Sequence, residues 1–234
     1  MAKKVYIGVG HGGTDSGAVA NGLKEKDLNL VTALACKDEL IRHGVSVKIS
    51  REKDISVYLA DRIKQAKDFK ADLAVDIHYN AGKGDGAEVF HSKAKTTDDK
   101  LAKNILDEIV KVGQNSRGIK TKISSNGKDY FGFVRQLTVD YNIPAVLVEC
   151  AFIDNKTDIK IADTAAEQKA MGIAIAKGIL NTLGIAYKSA ESTTSTTLYK
   201  VQIGAYSKKE NAEAQLKKVK AAGFKDAVIV TEKK

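Results

Sequence analysis

Two histidines and one glutamate of this chain come at the ends of apolar, strand-like runs. His11 lies in a glycine-rich stretch directly after such a run, while His78 and Glu149 each end one. Glycine lets the backbone turn sharply and approach a bound group closely, and open α/β sheets bind ligands beyond the carboxyl ends of their strands. Together with Glu25, which follows soon after His11, these side chains indicate a metal site.

Each of the four side chains also has an ordinary structural interpretation. His11 could be a turn histidine, His78 a hydrogen-bonded core histidine, Glu25 a solvated charge and Glu149 half of a structural salt bridge. The surrounding glycines favour a functional role for His11, and a second histidine in the same setting strengthens the interpretation of His78. A carboxylate that ends an apolar strand is costly to bury without a partner, which favours a functional Glu149.

The other histidines and both cysteines are interpreted as structural. His43 precedes a glycine at a predicted helix end, where an imidazole suits the helix dipole, and His91 is assigned to the surface at the end of a strand. Cys36 and Cys150 lie within a helix-like and a strand-like run. We therefore expect buried free thiols rather than a disulfide framework.

The first glycine cluster formally matches a dinucleotide-binding fingerprint. Gly8, Gly10 and Gly13 have the required spacing, and Arg51 after the second strand would suit NADP. In a true fingerprint the glycines open a helix directly, so that the pyrophosphate lies at its N-terminus. Here residues 14–24 have the composition of a loop, which disfavours nucleotide binding.

Strand and helix patterns alternate along most of the chain, which predicts an α/β fold. We expect a three-layer α/β/α arrangement whose central layer is a mostly parallel, mixed sheet. The predicted strands are 4–9, 45–50, 72–77, 86–91 and 145–150. The predicted helices are 27–43, 55–69, 97–112 and 165–183. We expect this domain to cover residues 1–185.

A composition change after Gly184 predicts a second region. Residues 186–197 are rich in Ser and Thr and are interpreted as a linker. Residues 198–234 form a predicted βαβ segment, with strands at 198–204 and 227–231 and a helix at 208–222. So short a segment is small for an independent core, and we expect it to pair with a second copy.

Charge and hydropathy limit the classes of partner. The formal net charge is +9, and residues 198–234 contribute +5 of it through nine lysines against four acidic residues. Such charge indicates an anionic partner. Aromatic residues make up only 6%, and no basic run is interleaved with stacking side chains, which disfavours nucleic acid.

No stretch approaches the ~18 consecutive apolar residues of a membrane span. The first residues lead directly into a strand without the apolar core of a signal peptide. We therefore expect synthesis in the cytoplasm, with any work at the cell wall following release through a pore or by lysis.

Four separated motifs occur in order along residues 4–184. They are Gly10-His11-Gly12-Gly13 with Gly17-Ala18, Gly22 and Glu25; Ser50-Arg51 with Asp54, Leu59 and Arg62; Ile77-His78-Tyr79-Asn80-Ala81; and Pro144-Ala145-Val146-Leu147-Val148-Glu149 with Phe152 and Asn155. Together they resemble the zinc-dependent N-acetylmuramoyl-L-alanine amidases of the amidase-3 type, found in autolysins and phage endolysins.

The resemblance implies a role for each site residue. His11, Glu25 and His78 match the family's zinc ligands, and Glu149 matches its catalytic glutamate. Two imidazoles and a carboxylate leave zinc a fourth position for water, as in other catalytic zinc sites. The implied reaction is hydrolysis of the amide between N-acetylmuramic acid and L-alanine in peptidoglycan, with Glu149 passing the proton of water to the leaving amine.

The chain departs from the family at two places beside the site. Residues 8–9 are Gly-Val where Asp-Pro is common, and residues 150–151 are Cys-Ala where Gly-Gly is common. Neither place holds a ligand, so we expect differences in loop shape and substrate fit only. Asn80 and Arg135 are candidates for substrate contacts.

The C-terminal segment resembles the first half of a SPOR domain, a peptidoglycan-binding module. The resemblance covers residues 198–207 and the Ala- and Lys-rich helix that follows. It implies binding to the wall, with anionic wall polymers as further partners and a homodimer through residues 198–234 as one way to complete the module.

Two other functions remain open on the sequence. A zinc peptidase that cuts stem-peptide bonds could use the same His and Glu set, and a catalytically inactive wall-binding protein would need no site at all. The presence of all four site residues disfavours the inactive alternative. Phage lysin and autolysin are both compatible with the motifs.

Overall fold

The computed structural model describes residues 2–189 and 202–231. The chain divides into two compact units, Met1–Lys188 and Ser189–Lys234. The first unit has the predicted three-layer α/β/α architecture around a mostly parallel, mixed sheet.

The central sheet has six strands, and its strand order brings three carboxyl ends together. The strands are β1 Lys4–Val9, β4 Ser46–Ile49, β5 Leu73–Asn80, β6 Ala87–Phe90, β7 Ser116–Lys120 and β8 Ala145–Phe152. Their order is β4-β1-β5-β8-β6-β7, in which β4, β1, β5 and β8 are parallel and β6 runs antiparallel to β8. Because β1, β5 and β8 are parallel neighbours, the residues at their carboxyl ends meet at one edge of the sheet.

Helices cover both faces of the sheet. One face packs against α1 (Glu25–Arg42), α3 (Asp99–Lys111) and α5 (Ala165–Leu183), and the larger apolar core lies there. The other face packs against α2 (Leu59–Phe69) and α4 (Gly132–Arg135), with a smaller core that includes Tyr6 and Phe133. Since both faces are covered, the central strands are apolar runs without alternation, as buried parallel strands are.

Several short elements were not predicted from the sequence. They are β7, a two-stranded hairpin of β2 (Val19–Ala20) and β3 (Leu23–Lys24), α4 with the π-helix Gln136–Asp140 that continues it, and the 3-10 helix Asp158–Ile161. The hairpin ends directly at α1, so Glu25 is the first residue of a helix. The helix predicted from the sequence began only at residue 27 and left Glu25 in the preceding loop.

Contacts of the first unit continue past the expected boundary at residue 185. The Tyr187 ring stacks on His43 with centroids 5.0 Å apart, and the Lys188 amide donates to His43 Nε2 at 2.9 Å. His43 Nδ1 lies 2.9 Å from the Glu39 carbonyl oxygen, which it reaches as a donor. His43 is therefore structural, as predicted, and both cysteines are buried free thiols.

The second unit contains one described helix, α6 (Lys209–Ala221), close to the predicted 208–222. The strands predicted at 198–204 and 227–231 are not formed where the structure describes them; residues 198–201 lie outside the described residues. A strand needs a neighbour for its backbone hydrogen bonds, and neither segment has one within 202–231. In the described ranges, no helix combines the length and apolar character needed to cross a bilayer.

Candidate active site

His11, His78 and Glu149 meet at the carboxyl edge of the sheet, as predicted. Strand β5 is paired with β1 on one side and β8 on the other, and His78 stands directly opposite Glu149. His11 follows β1 with φ of 58°, a left-handed conformation that turns its ring toward β5. The two imidazole centroids are 5.1 Å apart and nearly perpendicular.

Two glycines let the side chains of the cluster pack directly against the backbone. A Cβ at Gly10 would lie 2.3 Å from the His78 ring. A Cβ at Gly17, where φ is +62°, would lie 2.6 Å from the Glu25 carboxylate. Glycine is needed at both positions because side chains press against the backbone there.

Glu25 joins the two histidines through one carboxylate oxygen. Its Oε1 lies 3.1 Å from His11 Nε2 and 2.9 Å from His78 Nδ1. Its Oε2 accepts a hydrogen bond from the Ala18 amide at 3.0 Å. Glu25 is the first residue of α1, and the helix dipole favours a carboxylate there.

Two carboxylates that the sequence analysis missed contact the outer nitrogens of the imidazoles. Asp15 Oδ2 lies 2.8 Å from His11 Nδ1, and Asp76 Oδ2 lies 3.4 Å from His78 Nε2. Arg62 pairs with buried Asp76 at 2.8 Å. Such partners fix the tautomer of a metal-binding imidazole, and they leave His11 Nε2 and His78 Nδ1, which face Glu25, as the nitrogens that would bind a metal. The spacing of Asp76 and His78, two residues apart on one strand face, was the available signal.

The electrostatics of the cluster favour a positive charge between the imidazoles. Burial alone would lower the pKa of His78, but Asp76 and Glu25 raise it to about 10. Burial alone would raise the pKa of Glu25, but its contacts with His11 and His78 hold it far below the usual range. A proton or a divalent cation supplies the positive charge that these carboxylates stabilise.

Glu149 is partly buried and has one carboxylate oxygen without a hydrogen-bond partner. Burial raises its pKa to about 7, with His78 acting in the opposite direction. The unpartnered oxygen is Oε2, which is itself buried. A carboxylate whose pKa lies near neutral pH can take up and release a proton at physiological pH.

A cavity of about 370 Å³ opens over this cluster. Asn80 lines it, while Arg135 does not; the Arg135 guanidinium donates to the Asp129 carbonyl at 2.7 Å. The cavity therefore leaves Asn80 as a candidate for substrate contact and gives no such support to Arg135. Its other lining residues include Leu59, Arg62, Tyr79, Phe131, Gly132 and Phe133.

The donor set fits a zinc ion. His11, Glu25 and His78 each offer one ligand atom, and these atoms lie within 4.8 Å of one another. Two imidazole nitrogens aimed at one carboxylate oxygen are the arrangement of a three-ligand catalytic zinc site with an open fourth position. Glu149, whose Oε2 has no hydrogen-bond partner, stands opposite His78 in the strand register.

Comparison with known families agrees with the fold. Residues 5–181 match the model of the N-acetylmuramoyl-L-alanine amidase family. Residues 175–231 match the SPOR domain, a range that includes the last part of α5.

Individual relatives include N-acetylmuramoyl-L-alanine amidases and a phage endolysin. The chain is 37% identical to the N-acetylmuramoyl-L-alanine amidase CwlM of Bacillus licheniformis, over 97% of this chain and 84% of that protein. It is 35% identical to the endolysin of Bacillus phage SPP1, over 82% of this chain and 70% of that protein. The catalytic domain of the amidase CwlV from Bacillus (Paenibacillus) polymyxa var. colistinus superposes with a TM-score of 0.70 at 28% identity, covering 79% of this chain and 99% of that one.

Proposed function

The chain belongs to the N-acetylmuramoyl-L-alanine amidase family, and we propose that it uses one zinc ion, held by His11, Glu25 and His78, to hydrolyse the amide bond after which the family is named. The substrate is peptidoglycan, and the bond joins N-acetylmuramic acid to the L-alanine of the stem peptide. The observation that carries the proposal is the convergence of both imidazoles on one oxygen of Glu25.

A zinc ion bound here would lower the pKa of a water molecule to about 7 and polarise the scissile carbonyl. Glu149 accepts the proton of the attacking water on its unpartnered Oε2 and delivers it to the nitrogen of the leaving L-alanine. Asp15 and Asp76 hold the imidazoles in the tautomers that present Nε2 and Nδ1 to the site.

Product analysis tests this proposal against the two alternatives. Digestion of purified peptidoglycan should release new N-terminal alanine without new reducing sugar, a chelator should abolish the release, and added zinc should restore it. New N-termini other than alanine would identify a stem-peptide peptidase, and no release at all would identify a non-catalytic wall-binding protein.

The SPOR segment supplies a second contact with the wall, and we propose that two chains pair through residues 198–234 and also contact anionic wall polymers. The support is the surface of the second unit. No residue of α6 is buried, and apolar side chains stay exposed on both sides of it in the described residues. These are Ile203, Phe224, Val228, Ile229 and Val230. A second copy would cover them, and the net charge of +5 favours an anionic surface.

A further inference from the structure

A second group of possible metal ligands lies at the opposite edge of the sheet. Among the described residues, His91, Asp98 and Asp99 each offer a ligand atom within 4.8 Å of the others. Strand β6 runs antiparallel to β8, with Phe90 opposite Leu147, so His91 lies toward the edge where β5 and β8 begin. The His91 side chain is only 13% exposed, so its assignment to the surface from sequence was wrong.

All three side chains have a buried ligand atom without a hydrogen-bond partner. These atoms are His91 Nδ1, Asp98 Oδ1 and Asp99 Oδ1. Asp98 is completely buried. Its other oxygen is used, since Oδ2 accepts from the Ser92 amide at 3.0 Å and from Thr138 Oγ1 at 3.3 Å. Buried polar atoms are normally paired, so three unpaired ones in one cluster require an explanation.

An ordinary ion pair does not provide that explanation. His91 Nδ1 lies 2.8 Å from Asp99 Oδ1, yet the two atoms do not have hydrogen-bond geometry. Two donors that share a metal at about 2.0–2.2 Å stand about 3 Å apart, with both lone pairs directed at the ion. An ion pair would also leave the buried Oδ1 of Asp98 without a partner.

We propose that His91, Asp98 and Asp99 bind a divalent transition-metal ion that is separate from the catalytic site. One imidazole and two carboxylates are a nitrogen and oxygen donor set that suits Zn²⁺ or Mn²⁺. Three ligands leave the remaining positions to water, and the partial exposure of Asp99, 40% for its side chain, gives an entry path.

The ion would cross-link the start of α3 to the segment after β6, and that segment is hydrogen-bonded to residues that lead to the active-site cavity. Asp98 and Asp99 form the start of α3, and Ser92, beside His91, donates to Asp129 Oδ2 at 2.6 Å. Residues 131–133, a few positions after Asp129, line the cavity. The ion therefore has a structural role, and we expect it to raise thermal stability without being needed for hydrolysis.

The test uses the full chain with His11→Ala and His78→Ala, which removes the catalytic ligands. Equilibrium dialysis against Zn²⁺ or Mn²⁺ should find one ion per chain, and the ion should raise the unfolding midpoint by several degrees. Adding Asp99→Asn should weaken binding at least tenfold. Asp107→Asn, an exposed carboxylate on the same helix, is the matched control and should change neither quantity.

A second arm covers the case in which the doubly substituted chain does not fold. In the otherwise unsubstituted chain, Asp99→Asn should remove one metal equivalent while wall hydrolysis keeps its rate. Metal content unchanged by Asp99→Asn in a folded background would overturn the proposal. Because hydrolysis is followed separately, that result would leave the catalytic zinc site untouched.

Discussion

The two imidazoles of the catalytic cluster are held from both sides. One nitrogen of each ring faces Glu25, and the other contacts Asp15 or Asp76. With both nitrogens engaged, the rings keep the tautomer and orientation that a metal requires. These contacts fix the orientation of both rings, and each residue has a separable role.

Glu149→Gln separates proton transfer from metal binding. The amide keeps the shape of the side chain but cannot accept a proton, so turnover should fall at least about a hundredfold. Zinc content should stay unchanged, because Glu149 is not a ligand. Lysis of purified walls and elemental analysis measure the two quantities, and near-normal lysis would refute the role of Glu149.

Asp76→Asn tests the support of His78. The change keeps the volume of the side chain but removes the charge that faces His78 Nε2 and Arg62, so zinc affinity should fall about 10–100-fold. Competition with a chelator of known affinity measures the change. Asp68→Asn, an exposed carboxylate paired with Lys64 on α2, should have no effect. Equal affinities in the two variants would show that Asp76 does not act through the metal site.

The sequence identifies some site residues and misses others for a physical reason. His11, His78 and Glu149 are predictable because each ends an apolar run, and such ends share one edge of a parallel sheet. Glu25 was included because it follows soon after His11, and only the family resemblance gave it a ligand role, since its neighbours are charged. Asp15 contacts His11 through a loop turn that no periodic pattern encodes.

At the scale of elements, the central strands are predictable from their apolar runs, while the polar edge strand β7 is not. β1, β5 and β8 are found within a few residues of their predicted bounds, because burial on both faces demands continuous apolar sequence. β7 is an edge strand with the sequence Ser-Arg-Gly-Ile-Lys, which has no such run. Glu88, on the neighbouring strand β6, accounts for the two cations of β7, because Arg117 and Lys120 both pair with its buried carboxylate.

Helices α1 and α5 approach closely, and Gly172 sets their separation. A Cβ at Gly172 would lie 2.2 Å from the Thr32 carbonyl oxygen of α1. Gly172→Ala should therefore lower the free energy of unfolding by about 1–3 kcal/mol through overpacking. Chemical denaturation measures it, with Ala170→Ser on the exposed face of the same helix as control. A stabilised Gly172→Ala chain would contradict this packing, since alanine is otherwise the better helix former.

At the scale of the whole molecule, the composition change after Gly184 predicts a second region, and the chain divides into two compact units at Lys188. Residues 185–188 still pack on the catalytic unit through Tyr187 and Lys188. The second unit keeps its predicted helix and lacks the predicted strands in its described part. Strands depend on partners that one short segment does not contain.

Truncation after Lys188 separates catalysis from wall binding. The shortened chain should cleave small soluble muropeptides at the normal rate and lyse whole walls more slowly, because tethering raises the local substrate concentration. The deficit should shrink as salt screens the charge of the tail. Sedimentation should show a dimer for the full chain and a monomer for the truncated one. Two monomers would rule out pairing through residues 198–234.

The zinc content of His78→Ala and His11→Ala tests the central claim most directly. Each variant should lose one zinc equivalent per chain relative to the unsubstituted protein, because each removes one of three ligands around a shared oxygen of Glu25. His43→Asn, which alters a structural histidine far from the cluster in sequence, should keep the full amount. Undiminished zinc in either His78→Ala or His11→Ala would contradict the assignment of the metal site.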